Sequence, residues 1–225
     1  MKHLLFTTAF AVLFCPGCAF AQKSSPAEPT IPMPADRADD SYRIYSSLLP
    51  LGETAGNIWP HDLWLVQDAT ISAVPADEPC SPPPNTDHSA PGMNPHLDVH
   101  PPQDQLQDYL EILRDFDLHC HDRIKLDPDK WTVKAPLRLL SPEEQKEFES
   151  TRFGGAKDNP AVAKFKGAAA LYAFSEVYFN GPHTVALVYA THWCGGLCGE
   201  GFWLAFALDN GKWRALHWNA TRWIS

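Results

Sequence analysis

Two imidazoles flank a thiol at His119-Cys120-His121, and two further thiols bracket a three-residue turn at Cys194-Gly195-Gly196-Leu197-Cys198. These residue types bind borderline metals or exchange electrons. On an extended segment His119 and His121 point to the same side, the way a zinc site often begins, and a third ligand would come from His61, Asp62, Asp122 or His192. No HExxH spacing is present, so the plainer expectation is a pair of surface or packing histidines. His88, His96 and His100, with Asp87 and Asp98, lie in a proline-rich stretch whose composition predicts a solvated loop that takes up metal weakly at most. Glu176 and Glu200 stand within or beside apolar runs, where burial would raise a carboxylate pKa and suit it to acid catalysis. A lone acid makes no mechanism, and exposed placement at a sheet edge is the simpler reading of both. With no GxSxG elbow, P-loop or dinucleotide fingerprint, no residue is assigned a catalytic role.

Stepping out to the whole chain, residues 1–21 carry the three parts of a secretory signal: Lys2 and His3, an apolar run from Leu4 to Cys15, and Ala19-Phe20-Ala21 as cleavage site. A lipid-anchor reading through Cys18 fits less well, because Cys15 and Pro16 occupy positions that want an aliphatic and a small residue. The expectation is an exported protein, periplasmic or extracellular, with no second apolar run near the roughly 20 residues that cross a bilayer. A net charge of −9 argues against nucleic acid and anionic lipid as partners.

Export leaves Cys80, Cys120, Cys194 and Cys198 in an oxidising compartment, where three pairings are possible. The favoured one joins Cys194 to Cys198 and Cys80 to Cys120, since strand ends flanking a three-residue turn approach the Cα separation of roughly 5.5 Å that a disulfide prefers. A redox pair or half of a zinc site is the alternative for Cys194 and Cys198, although redox pairs are one residue closer and open a helix.

The elements that must position these groups follow from periodicity. Residues 22–40 are proline-rich and polar, a disordered leader. From 41 to 225 a single α+β domain is expected, beginning with a short amphipathic helix at Tyr42, Ile44, Tyr45, Leu48 and Leu49 that Pro50 closes. A strand within Asp62–Val74 is apolar on both faces and therefore interior. Residues 75–102 hold nine prolines and read as an inserted loop. Leu106, Tyr109, Leu110 and Leu113 mark a helix that should fray before His119, another short strand falls within Trp131–Leu140, and Ser141-Pro142-Glu143-Glu144 starts a helix that runs to about Arg152. Four runs form a C-terminal meander: Leu171–Phe179, Val185–Cys194, Phe202–Leu208 and Trp213–Ile224, with Asn180-Gly181-Pro182 and Asp209-Asn210-Gly211 as hairpin turns. The predicted fold is α+β, an antiparallel sheet of about five strands packed with two or three helices.

The segments Phe174-Ser175-Glu176-Val177, Ala186-Leu187-Val188-Tyr189, Cys194-Gly195-Gly196-Leu197-Cys198-Gly199, Gly211-Lys212-Trp213 and Trp223-Ile224-Ser225 resemble the C-terminal half of an uncharacterised family of secreted bacterial proteins. With the helix and strand near Tyr45 and Leu65, the resemblance touches roughly 150 residues. It implies export and the fold and brings no catalytic residue. The proline-rich insertion and His119-Cys120-His121 depart from that family's pattern.

Trp193, Trp203, Tyr178 and Phe202 surround the Cys194–Cys198 tip, and aromatic side chains near a rigid turn suit contact with a ligand or partner. The leading expectation is an exported binding domain without catalysis, its partner an unidentified protein or small ligand of the envelope. The same four residues completing a core is the competing one. A metal-dependent hydrolase built on His119 and His121, with zinc as its cofactor, stands second, and a structural or envelope-stress protein without ligand third.

Overall fold

Residues 29–54, 62–72, 74–83, 94–152, 159–196 and 198–224 are described by a computed structural model of the chain. The expected export signal with Cys18, the first part of the leader, His61, His88 and Ser225 lie outside them. In chain order the elements are β1 (Ile31–Pro32), α1 (Ala38–Thr54), β2 (Trp64–Gln67), α2 (Pro95–Asp98), β3 (Val99–His100), α3 (Leu106–His119), β4 (Ile124–Lys125) and β5 (Leu137–Leu140). They continue with α4 (Pro142–Arg152), α5 (Pro160–Lys164), β6 (Leu171–Phe174), β7 (Tyr178–Phe179), β8 (Val185–Gly195), β9 (Cys198–Asp209), β10 (Lys212–Leu216), β11 (Asn219–Ala220) and β12 (Arg222–Ile224).

The fold is α+β, and its main sheet is larger than expected and mixed. Eight strands join in the order β10-β9-β8-β6-β2-β5, with β7 also on β8 and β12 also on β9. The C-terminal meander is antiparallel, but β2 runs parallel to both β5 and β6. Parallel neighbours need crossovers of a dozen or more residues, and the helices between residues 68 and 136 and between 141 and 170 lie within those crossovers. The run Trp64-Leu65-Val66, buried on both faces, is what a central parallel strand requires.

Helices cover both faces. On one, Tyr42, Tyr45, Leu48 and Leu49 of α1 pack on Trp64, Val66, Tyr172, Phe174, Val188 and Phe206. On the other, Tyr109, Ile112, Leu113 and Phe116 of α3 meet Leu187, Tyr189 and Trp203, while Phe148 and Phe165 of the α4–α5 region meet Leu65 and Leu171. Helices α1 and α3 thus stand on opposite faces of the sheet. Among the described residues no helix is long and apolar enough to cross a membrane.

Several boundaries move for local reasons. Helix α1 continues through Pro50 to Thr54, and α3 extends to His119. Helix α4 opens with a capping box, in which Ser141 Oγ accepts from Glu144 N and Glu144 Oε2 accepts from Ser141 N, each at 3.3 Å. Asn210 (φ 51°) and Gly211 (φ 75°) form the positive-φ turn between β9 and β10. The last expected strand is broken, β10 and β12 both lying on β9 and β11 between them pairing with β3.

The leader is not free along its whole length. Ile31 and Pro32 pair in parallel with Ile124 and Lys125, Ile31 N donates to Arg123 O at 2.8 Å, and Arg37 is buried. The proline-rich insertion is likewise tied at both described ends. Cys80 is bonded to Cys120, Asn94 Nδ2 donates to Cys80 O at 2.8 Å, and the Tyr109 hydroxyl lies 2.6 Å from Pro95 O. The second disulfide joins Cys194 and Cys198, whose Cα atoms are 5.2 Å apart.

The two bonds close loops of very different length, 40 and 4 residues of separation. On loop entropy, replacing Cys80 and Cys120 by serine should cost about 4 kcal/mol and replacing Cys194 and Cys198 about 2 kcal/mol. Urea unfolding of the two double variants checks this order.

Candidate functional site

The stretch Phe174-Ser175-Glu176-Val177-Tyr178 reads as one strand, yet it is cut into β6 and β7. Ser175 cuts it: its N–H donates to Tyr189 O, and its Oγ accepts from Tyr189 N, each at 2.9 Å. Phe174 and Val177 consequently both pack in the α1-side cluster, an odd spacing that a regular strand does not give. The extra residue leaves Glu176 fully buried, within reach of side chains from the leader and from α3.

Three neighbours meet it there. Arg37 Nη1 donates to Glu176 Oε1 at 2.6 Å, and Arg37 Nη2 to Asp115 Oδ1 at 3.0 Å. Asp115 and His119 lie four residues apart on α3, so they share a helix face, with His119 Nε2 3.8 Å from Asp115 Oδ1. The turn after α3, in which Asp122 N donates to His119 O, returns Asp122 Oδ2 to 2.8 Å from His119 Nδ1. Asp115 Oδ2 also accepts from Phe179 N at 2.8 Å, which fixes α3 against β7.

One ligand atom from each of His119, Asp122 and Glu176 falls within 4.8 Å of the others. Glu176 Oε2 is buried without a hydrogen-bond partner. Burial pushes the Glu176 carboxyl up to about 7; Arg37 and His119 pull it down, and Asp122 adds to the rise. Burial works against the Arg37 charge, but Asp115 and Glu176 hold it above its usual value. One guanidinium is shared between two carboxylates, so it does not offset the full desolvation of Glu176. Counting Asp122, three carboxylates stand with one arginine and the His119 imidazole. Such a set of ligand types could hold a divalent cation.

Of the third ligands the sequence offered, Asp122 is the one that meets His119. Asp62 stands by Gly167, and His192 Nδ1 lies 3.6 Å from Glu200 Oε1. His121 does not share the site: because α3 runs through His119, the two imidazoles are not on an extended segment, and His121 lies exposed beside the Cys80–Cys120 bond. In the proline-rich segment, His96 Nε2 stands 2.7 Å from Asp117 Oδ1. Glu200, expected at an exposed edge, is paired with Arg222. Sequence reasoning passed over Arg37, which sits in a stretch of leader composition, and Asp115, for which the i, i+4 spacing to His119 was the available signal.

No protein-family model, no curated protein and no solved structure matches the chain.

The four aromatic residues expected around a ligand do not share a surface. Trp203 and Tyr178 are buried on the α3 side, Trp203 amid the rings of Phe116, Tyr178 and Tyr189 with its indole N–H lacking an acceptor. Trp193 meets Phe148 edge-on beneath α4. Phe202, next in chain to Trp203, packs in the α1-side cluster. Alternation along β9 separates the neighbours, and in this arrangement Trp203 completes a core.

Trp203→Ala should accordingly lower stability by about 3–5 kcal/mol, read by denaturant unfolding. A second expectation concerns pH. Glu176 binds its proton more tightly folded than unfolded, so the metal-free protein should lose stability as pH rises from about 4.5 to about 7 and level off above, by about 3 kcal/mol. Glu176→Gln should flatten that slope.

Proposed function

We propose that the chain is an exported binding protein whose ligand is a divalent metal ion held by His119, Asp122 and Glu176, and that it does no chemistry on that ion. The observation that carries this reading is the convergence of those three ligand atoms around a buried carboxylate oxygen with no partner. One imidazole and two carboxylates suit a borderline ion such as zinc. Asp115 lies 3.8 Å from the far nitrogen of the His119 ring, on the side where a metal-bound histidine has a supporting carboxylate. Binding is favoured over hydrolysis because the acids at hand are committed: Glu176 to Arg37, and Asp115 to Arg37 and Phe179 N. None is left to act as a base on metal-bound water.

A second reading keeps some support. Three protein ligands leave the fourth tetrahedral position to water, the arrangement of catalytic zinc sites, and His119 and Asp122 are about one-third exposed on that side.

Protein exported and purified without a histidine tag should carry bound metal by elemental analysis. Metal-free protein should take up about one zinc per chain in a calorimetric titration. His119→Ala and Asp122→Asn should each weaken uptake by about 10–100-fold, a single lost ligand costing at least as much as a lost supporting partner, and His121→Ala should leave it unchanged. No uptake, or uptake indifferent to His119, overturns the proposal. Zinc-dependent ester or phosphate hydrolysis abolished by His119→Ala would establish the hydrolase instead.

A further inference from the structure

A second set of groups, under a different helix, is unbalanced in the opposite sense. A cleft of ≈ 230 Å³ opens between α4 and α5, lined by Thr151, Arg152, Val162, Phe165, Lys166 and the backbone at Gly167 and Ala168. Arg152 is its distinguishing residue. Its guanidinium lies over the Phe148 ring, 4.8 Å from the centroid, and among the described residues donates from Nη2 to Ala168 O at 2.5 Å. Its Nε is buried with no acceptor, and among the described residues no carboxylate pairs with it. Burial alone depresses its pKa. A guanidinium has five N–H donors in a planar fork, and a desolvated one is ordinarily paired. Arg37, the other deeply placed arginine, has two acids.

Of the acids near the cleft, Asp62 stands behind Gly167, and the two on α4 that face α5 are engaged. Glu144 pairs with Arg138 and Lys164, and Glu147 with Lys164. Arg152 and Lys166 are the cations left facing the space. The Arg152 stem is held in place as well: a Cβ on Gly195, at φ +110°, would come within 2.8 Å of Arg152 Cβ, so the disulfide-closed tip is pressed against it. Opposite the cations the wall is apolar, with Phe165 buried and Val162 44% exposed.

We propose that this cleft binds a small monocarboxylate with a short apolar body. The carboxylate accepts from the Nη groups at the end of the Arg152 fork, Lys166 adds a second charge, and the apolar body lies on Val162 and Phe165. A planar acceptor matches the fork in two parallel hydrogen bonds, and the apolar wall gives nothing to a fully hydrated anion. The cleft is independent of the metal proposal and fails or stands separately from it.

The test is calorimetric titration of the full chain with isovalerate, acetate, isovaleramide and inorganic phosphate. Isovalerate should saturate, acetate should bind more weakly for want of the apolar contact, and the uncharged amide should not bind. Arg152→Met should weaken isovalerate by about tenfold or more, the loss of a charged hydrogen bond, in a protein whose circular dichroism shows it still folded. Arg152→Lys should fail to restore binding, and Val162→Asp should abolish the preference for isovalerate over acetate. Absence of saturable isovalerate binding, equal binding of the amide, or tighter binding of phosphate than of isovalerate overturns the assignment. So does an Arg152→Met protein that binds normally. If that variant unfolds, Lys166→Met read against isovalerate keeps the proposal open to refutation, since unchanged affinity there would count against it.

Discussion

The shared guanidinium of Arg37 is the contact on which the arrangement of this protein turns. It lies between Asp115 of α3 and Glu176 of the β6–β7 break, at 3.0 and 2.6 Å, and so joins a segment ahead of α1, a helix on the opposite sheet face and the sheet itself. Removing one member of such a buried set leaves a charge with no compensation, which costs about 3–5 kcal/mol, whereas the intact set contributes little beyond its own desolvation. Its value is therefore positional. It fixes where α3 ends relative to Glu176, and with that the place of His119 and Asp122.

That position is supported from several sides. Asp115 also receives the β7 amide of Phe179, the Cys80–Cys120 bond anchors the residue that follows α3, and Thr70 Oγ1 accepts from Ile124 N at 2.7 Å just beyond. Ser175 replaces a ladder group with its hydroxyl, so the break in the strand costs no backbone hydrogen bond to β8. The sheet beneath tolerates the break because helices cover both faces and bury the irregular segment.

Charge is distributed unevenly at two places in the fold. Around Glu176 three carboxylates stand with one arginine and one imidazole, and burial raises the Glu176 carboxyl. Beneath α4 an arginine and a lysine line a cleft near which Glu144 and Glu147 are engaged with Arg138 and Lys164. A folded chain usually pairs its desolvated charges internally. Where it does not, a ligand can bring the missing charge, and the two proposed sites call for opposite signs.

By itself the sequence determined those features that depend on neighbours within a few residues. The period of α3, the Ser141 cap, the positive-φ Asn210-Gly211 turn and the antiparallel order of the meander are local, and turn chemistry and periodicity report them directly. The cysteine pairing expected from the sequence is the one the fold has, since a three-residue turn and one remaining pair leave little choice. The tertiary structure alone decided the rest. Parallel pairing of β2 joins residues more than sixty apart, for which the chain carries no local signal beyond an apolar run on both faces. It also decided the use of the aromatic residues, because the alternation of Phe202 and Trp203 says that they part but not which face each meets. Above all it decided the candidate site. His119 was legible as a ligand type, but Glu176 reaches it only through the extra residue at Ser175. Arg37 belongs to the same cluster although its sequence context has the composition of a disordered leader. A buried ionic set draws its members from separations of 78 and 139 residues, and long-range electrostatics leave no periodic trace along a chain.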